Sequence, residues 1–208
     1  MLESKNIRFS VIIPAHNSEG FLHKAISSVK SQAFKDYELI VVCDACDDGT
    51  ENVARAYADK VAVTNYGRDG LARQIGIDLS EGEFILFMDD DDWWIHEYVL
   101  QILNDYADQI DAFDVLCFGF IWKDKGYMGP VRYVQGGRRV LWPNVWSKMY
   151  RAEWLKKTGV RFGDARMISD LHFSRDLIAR DPELAFLDQP LYYYNWMRVG
   201  SQTEREGK

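Results

Sequence analysis

The chain has 208 residues, 47% of them apolar, with 25 basic and 32 acidic side chains and a net charge of −7. That much apolar material supports one sizeable core rather than a disordered chain, and the acidic balance opposes a nucleic-acid surface. No run reaches the ~18 apolar residues of a membrane span, and Met1 to Asn17 mixes charge with too short an apolar stretch for a signal peptide, so the expected setting is cytoplasmic, compatible with peripheral attachment at the inner membrane surface.

Phe9 to Pro14 is the first predicted strand, followed by a helix in which Phe21, Leu22, Ala25, Ile26 and Val29 recur at helical spacing. Leu39 to Cys43 and Val61 to Thr64 are the next strands, with Val53, Ala54 and Tyr57 marking a helix between them. Leu71, Ala72, Ile75 and Leu79 mark another, before a fourth strand at Phe84 to Met88. A fourth helix is expected from about His96 to Asp108, with Val99, Leu100, Leu103 and Tyr106 inward. Short apolar runs alternating with amphipathic helices predict an α/β fold with a mostly parallel sheet flanked by helices.

After Ala112 the texture changes. Phe113 to Trp122 is apolar and aromatic, which predicts a smaller mixed or antiparallel region, and Lys123 to Gly126 reads as a turn. Val134 to Arg139 reads as a solvated loop carrying the positive patch of Arg138 and Arg139. Helices are expected at Ala152 to Lys157 and at Ser169 to Ala179, the second offering Leu171, Phe173, Leu177 and Ile178 to the core. Late strands are expected at Leu184 to Leu187 and Leu191 to Tyr194. With no repeat or linker, one domain spanning 1–208 is expected, its first half ending near Ala112.

In an open parallel sheet, ligands bind outside the carboxyl ends of the strands. Three polar clusters fall there: His16 and Asn17, Asp44 with Asp47 to Thr50, and the run Asp89-Asp90-Asp91-Asp92. Unit charges ~4 Å apart repel by roughly 4 kcal/mol at an effective dielectric near 20, so such a run attracts a cation, and oxygen donors favour Mg²⁺ or Mn²⁺. Capping of the following helix is the bland alternative, but a cap needs one acceptor oxygen and the run offers eight. Glycine-rich phosphate loops are absent. Cys43 and Cys46 form a C-x-x-C whose neighbours Asp44, Asp47 and Asp48 raise thiol pKa values, which disfavours redox chemistry. A zinc site lacks the remaining ligands. His23 is expected on a solvated helix face and His96 in a helix's first turn, while His172 either lines the site or faces water.

Taken together, these residues resemble the family 2 glycosyltransferases, with the GT-A fold that binds nucleotide sugars. Ser10 to Asn17 is similar to that family's opening strand, Glu38 to Thr50 to its second strand and acidic loop, and Gly70-Leu71-Ala72-Arg73-Gln74-Ile75-Gly76 to its Ala-Arg-Asn-x-Gly segment. Asp89-Asp90-Asp91 resembles the metal-binding Asp-x-Asp, Val145 to Tyr150 a later motif, Ser169-Asp170 the Glu-Asp pair, and Leu191 to Tyr194 with Gly200 to Thr203 the closing segment. The resemblance implies transfer of a sugar from a nucleotide diphosphate sugar, expected to be UDP-linked, to a saccharide, lipid-linked or other hydroxyl acceptor with inversion. It implies a donor-binding half over 1–112 and an acceptor half over 113–208.

It also implies residue roles. Pro14, Ala15, His16, Asn17, Asp44, Arg73, Asp89 and Asp90 would bind the donor, Asp89, Asp91 and Asp92 would hold Mn²⁺ or Mg²⁺, and Asp170 would be the general base. Trp93, Trp146 and Lys148 are candidates to touch acceptor or phosphate, as are Arg138, Arg139 and Arg198. The pattern departs from the family at His16 for Tyr, Cys43 for an acid, Gln74 for Asn and Ser169 for Glu. Two competing readings remain. A haloacid dehalogenase-type phosphohydrolase would use Asp89 as nucleophile, though its motif belongs on a first strand. A noncatalytic nucleotide-sugar-binding module would have lost its base, which the presence of Asp170 opposes.

Overall fold

The computed structural model describes residues 7–110, 112–130, 132–135, 138–141, 143–165 and 168–196, with backbone alone over 132–135 and 138–141. Its first half contains β1 (Phe9–Ala15), α1 (Leu22–Lys30), β2 (Tyr37–Asp44), α2 (Thr50–Tyr57), β3 (Lys60–Thr64), α3 (Asp69–Leu79) and β4 (Phe84–Phe87). Then follow β5 (Trp93–Trp94), α4 (Val99–Gln109), β6 (Val115–Trp122), β7 (Gly126–Met128), β8 (Arg132–Gln135) and β9 (Arg138–Leu141). The described elements end with β10 (Lys148–Arg151), α5 (Ala152–Thr158), α6 (Ser169–Ile178) and β11 (Leu184–Tyr194).

One mixed sheet runs β3-β2-β1-β4-β10-β6-β11-β5, with β7 paired to β6. β1 is parallel to β2 and β4, and β2 is parallel to β3. Strand alternation sends β1 side chains to two cores: Phe9, Val11 and Ile13 join α1 and α4 residues on one face, while Ile12 joins α3, α5 and α6 residues on the other. Gly76 lets α3 lie directly on the sheet, since a Cβ there would sit 2.3 Å from Cγ2 of Ile12. α5 stops at Gly159, whose φ of 67° is the left-handed cap that glycine accepts without a Cβ clash.

The second half departs from expectation in several places. β10 is antiparallel to both β4 and β6, as an antiparallel region predicts, yet β11 runs parallel to β6. The two late strands are one, carried through Pro190, where the pairing with β6 shifts register as a proline at a bulge allows. The loop expected over Val134 to Arg139 instead contributes to an antiparallel pair, Val134 opposite Arg139 and Gln135 opposite Arg138. A Gly-Gly between two short runs is a hairpin signal. The side chains of Arg138 and Arg139, together with Gly136, Gly137, Arg198 and Gly200 to Thr203, lie outside the described residues. His96 precedes α4 rather than opening it, and its carbonyl accepts a 2.9 Å hydrogen bond from Nε2 of Gln32. Tyr57, Leu79 and Leu171, expected inward, are exposed.

Candidate functional site

Sheet topology gathers the site. β1, β2 and β4 run parallel, so Ala15, Asp44 and the acids after Phe87 leave the sheet at one edge. β10 runs the opposite way, which brings the loop before it, 143–147, to that same edge. β11 runs with β6 and delivers Tyr192 to Tyr194 there as well.

The four aspartates divide into different environments. Asp92 is buried, its Oδ2 accepting from the Tyr192 hydroxyl at 2.7 Å and its Oδ1 from the Asn195 N–H at 2.8 Å. Burial, then the charges of Asp89 and Asp91, push its carboxyl well above the ordinary range, which favours the neutral form. Asp92, one of the three acids expected from sequence to hold a metal, thus also braces the loop after β4 against the end of β11. The Asp89 N–H donates to the same Tyr192 hydroxyl at 3.0 Å. Asp89, Asp90 and Asp91 are half-buried, and Oδ2 of Asp90 accepts from the His16 N–H at 3.2 Å. Helix capping does not explain the run, because α4 begins only at Val99 and has no side-chain cap.

Arg73 sits at the centre of three carboxylates. From α3 its guanidinium, 6% exposed, reaches Asp69 at 2.6 Å, Asp89 at 2.6 Å and Asp170 at 3.4 Å. It is held by acids from α3, the loop after β4 and the start of α6. Burial pushes Asp89 up to about 7, with Arg73 opposing and Asp170 and Asp91 adding to the rise. Asp170 opens α6. Its Oδ2 accepts from the Val145 N–H at 3.2 Å, while Oδ1 is enclosed and accepts no hydrogen bond among the described residues. Burial raises its carboxyl above the ordinary range; Arg73, the Val145 N–H and Lys148 act against the rise, and Asp69 reinforces it. Leu171 is exposed, while the loop before β10 and α3 contact the carboxylate through Val145 and Arg73.

On the β1 and β2 side, the Asp44 carboxylate is buried and holds the loop after β3. It accepts from the Thr64 hydroxyl at 2.9 Å, the Tyr66 N–H at 2.7 Å and the Arg68 N–H at 2.6 Å. The Asp44 carbonyl receives Nδ1 of His16 at 2.7 Å. A carbonyl cannot donate, so Nδ1 carries a proton in this contact. Asn17 has φ 47° and takes the Asp47 N–H at 2.9 Å. Pro14 and Ala15 are buried at the end of β1, offering backbone rather than side chains.

Trp146 and Lys148 are buried. Trp146 is stacked against Tyr192 and Tyr194, with centroids 4.6 and 4.9 Å away. The Lys148 ammonium is buried and donates to the carbonyl and Oδ1 of Asn144, and burial lowers its pKa to about 8. Trp93 stays partly exposed beside the acids, stacked on Tyr193 at 4.2 Å with the Lys24 ammonium over its ring. His23 and His172 face solvent. Val145 and Tyr192 stood in sequence only as members of motif segments, with no role of their own, and Asp69 and Asn195 were not singled out, although Asp69 carries a signal in its i,i+4 spacing from Arg73.

The cysteines are free. Burial, then Cys46 and Glu51, push Cys43 up to about 12, and burial raises Cys46, whose Sγ donates to the Ala15 carbonyl at 3.4 Å. Iodoacetamide at pH 7 is expected to modify neither thiol on the timescale of free cysteine. Rapid labelling would return the redox reading. Among the described residues no group of three or more His, Cys, Asp or Glu is arranged to hold a metal ion, and no helix is long and apolar enough to cross a membrane.

Residues 10–175 match the family model described as Glycosyl transferase family 2. Over 214 aligned residues the chain is 28% identical to poly(ribitol-phosphate) beta-N-acetylglucosaminyltransferase TarS of Staphylococcus aureus, covering 93% of this chain and 36% of that protein. The crystal structure of S. aureus TarS 1-349 in complex with UDP-GlcNAc superposes with a TM-score of 0.80 at 25% identity, covering 95% of this chain and 60% of that one. The mannosyltransferase PcManGT from Pyrobaculum calidifontis, in complex with GDP-Man and Mn²⁺, shares the fold with a TM-score of 0.70 at 15% identity, covering 96% and 60%. The chain thus spans roughly a third to three fifths of the length of these proteins.

Proposed function

Because this chain belongs to glycosyl transferase family 2, we propose that it transfers a sugar from a nucleotide diphosphate sugar, UDP-linked, to an acceptor hydroxyl by a single inverting displacement. The observation that carries this reading is the approach of Asp89 and Asp170 to one guanidinium, which sets donor-side acids and a base candidate side by side. The phosphohydrolase alternative gives way to the family match and to the position of Asp89 after the fourth strand rather than the first.

The acids fit a divalent cation of the Mg²⁺ or Mn²⁺ type. Such ions are held by one or two carboxylates, with substrate phosphates and water completing the shell, so a cage of three protein ligands is not required. Asp89 and Asp91 would hold it. Asp89, strained as an anion by burial and by its acidic neighbours, gains most from such a partner. Bound there, the ion would offset charge on the diphosphate leaving group. His16, Asn17, Asp90 and the loop fastened by Asp44 would form the nucleotide side. Asp170 would take the proton of the acceptor hydroxyl, its raised pKa making it a better base near neutrality than an ordinary aspartate. A saccharide or lipid-linked hydroxyl is the acceptor class, approaching from the side of Trp93 and the second half of the chain.

Release of nucleoside diphosphate across a panel of sugar nucleotides, with Mn²⁺ or Mg²⁺, identifies the donor. Calorimetric titration with UDP tests the metal: affinity is expected to rise strongly with Mn²⁺ present, and Asp91→Ala to abolish that rise. Equal UDP affinity with and without the ion would remove the metal bridge from the mechanism.

A further inference from the structure

Ser169 stands where the family resemblance leads one to expect glutamate, and its surroundings leave little room for one. It is 4% exposed, and Gly70 approaches so closely that a Cβ on it would lie 2.9 Å from Cβ of Ser169 and 3.1 Å from the Gly163 carbonyl. The first turns of α3 and α6 therefore touch at this point. The Ser169 hydroxyl donates to Oδ2 of Asp69 at 2.9 Å, and that same oxygen receives Nη1 of Arg73 at 2.6 Å. Nη1 also faces Asp170, and Nη2 holds Asp89. Burial works against the Asp69 charge, yet Arg73, the Ser169 hydroxyl and the Gly70 N–H keep its carboxyl below the ordinary range. Just before Ser169, Ile168 has φ 54°, a left-handed conformation that a β-branched residue adopts only when its surroundings impose it. The start of α6 is thus held in place by its contacts.

We propose that Ser169 and Asp69 are positioning residues for the base: Ser169 fixes Asp69, Asp69 fixes Arg73, and Arg73 sets the Asp170 carboxylate against the donor-side acid Asp89. In this chain Asp69 supplies, from α3, a carboxylate beside the base that a glutamate at 169 would otherwise bring. The noncatalytic reading drawn from Ser169 loses its motive, because the serine is a working member of the line. This inference rests on the transferase reading, and its test separates the two.

Wild type, Ser169→Ala, Asp69→Asn and the double variant are compared for kcat by UDP release and for UDP affinity by calorimetry, with Tm recorded for each. Misplacing a base by a fraction of an ångström to an ångström costs roughly 10- to 10²-fold, so kcat is expected to fall by that factor in each single variant while UDP affinity is unchanged. The double variant is expected to match the worse single one, as members of one line do. Ser169→Ala is decisive because it removes one hydroxyl from a tight site without opening a cavity. Wild-type kcat in Ser169→Ala, multiplicative losses in the double variant, or loss of UDP affinity in step with kcat would each overturn the positioning role. A wild type that releases UDP from no sugar nucleotide would instead overturn the transferase reading beneath it.

Discussion

Asp170→Asn is expected to lower turnover by ~10²- to 10⁴-fold, the usual worth of a general base, while leaving UDP binding intact. The side chain keeps its shape and can still accept the Val145 N–H, so the loss would be chemical. Stability gives an independent check with a definite sign. The Asp170 carboxyl is raised in the folded protein, first by burial, with Arg73 opposing. A raised carboxyl pKa means that the fold disfavours the charged form, so the cost is absent below the unfolded-state value, grows with pH between the unfolded- and folded-state values, and is fully present above the folded-state value. Asparagine carries no charge, and the variant's Tm at pH 7 should equal or exceed that of wild type. In wild type, kcat should fall on the acid side at a pH above the ordinary carboxylate range, and the residual activity of the variant should lack that limb. Product configuration by NMR completes the test: retention would exclude a single displacement, and near-normal turnover in Asp170→Asn would return the residue to a structural role.

How far the sequence carried depended on whether a feature was local. β1, β2 and β4 are buried on both faces, so they read as near-continuous apolar runs, and the helices between them show their spacing directly. β10 was invisible as a strand because Lys148 and Arg151 interrupt its pattern, and Lys148 is buried only once β10 lies between β4 and β6. The split of β11 had the opposite cause, a proline that locally forbids a strand but is tolerated where pairing with β6 shifts. The same division runs through the site. Asp89, Asp91 and Asp170 were legible from the motifs they resemble. That Asp92 faces Tyr192 and Asn195, a hundred residues away in the chain, follows from the antiparallel pairing of β5 and β11, which sets Trp93 opposite Tyr193. Arg73 illustrates the limit most clearly: the motif located it near the donor, but its three acids come from α3, the loop after β4 and α6 and meet only in the folded chain.

Arg73→Met should produce the largest loss of stability at this site. The substitution keeps apolar bulk and removes the one guanidinium to which Asp69, Asp89 and Asp170 turn. Taking one partner from a buried ionic cluster costs roughly 3–5 kcal/mol because the remaining charges stay behind uncompensated. Asp69 and Asp89 are 33% and 27% exposed, so water screens part of the residual repulsion and the lower end is expected. For a chain of this size ~3 kcal/mol corresponds to a Tm decrease of about 6–12 °C. Arg73→Lys should fall between the two, since an ammonium retains the charge but cannot present a planar fork to three carboxylates. Differential scanning calorimetry on the three proteins, without nucleotide or metal, reads this directly. An unchanged Tm in Arg73→Met would mean that the acids are adequately solvated without it, and the line from Ser169 to Asp170 would then lack the member that transmits position.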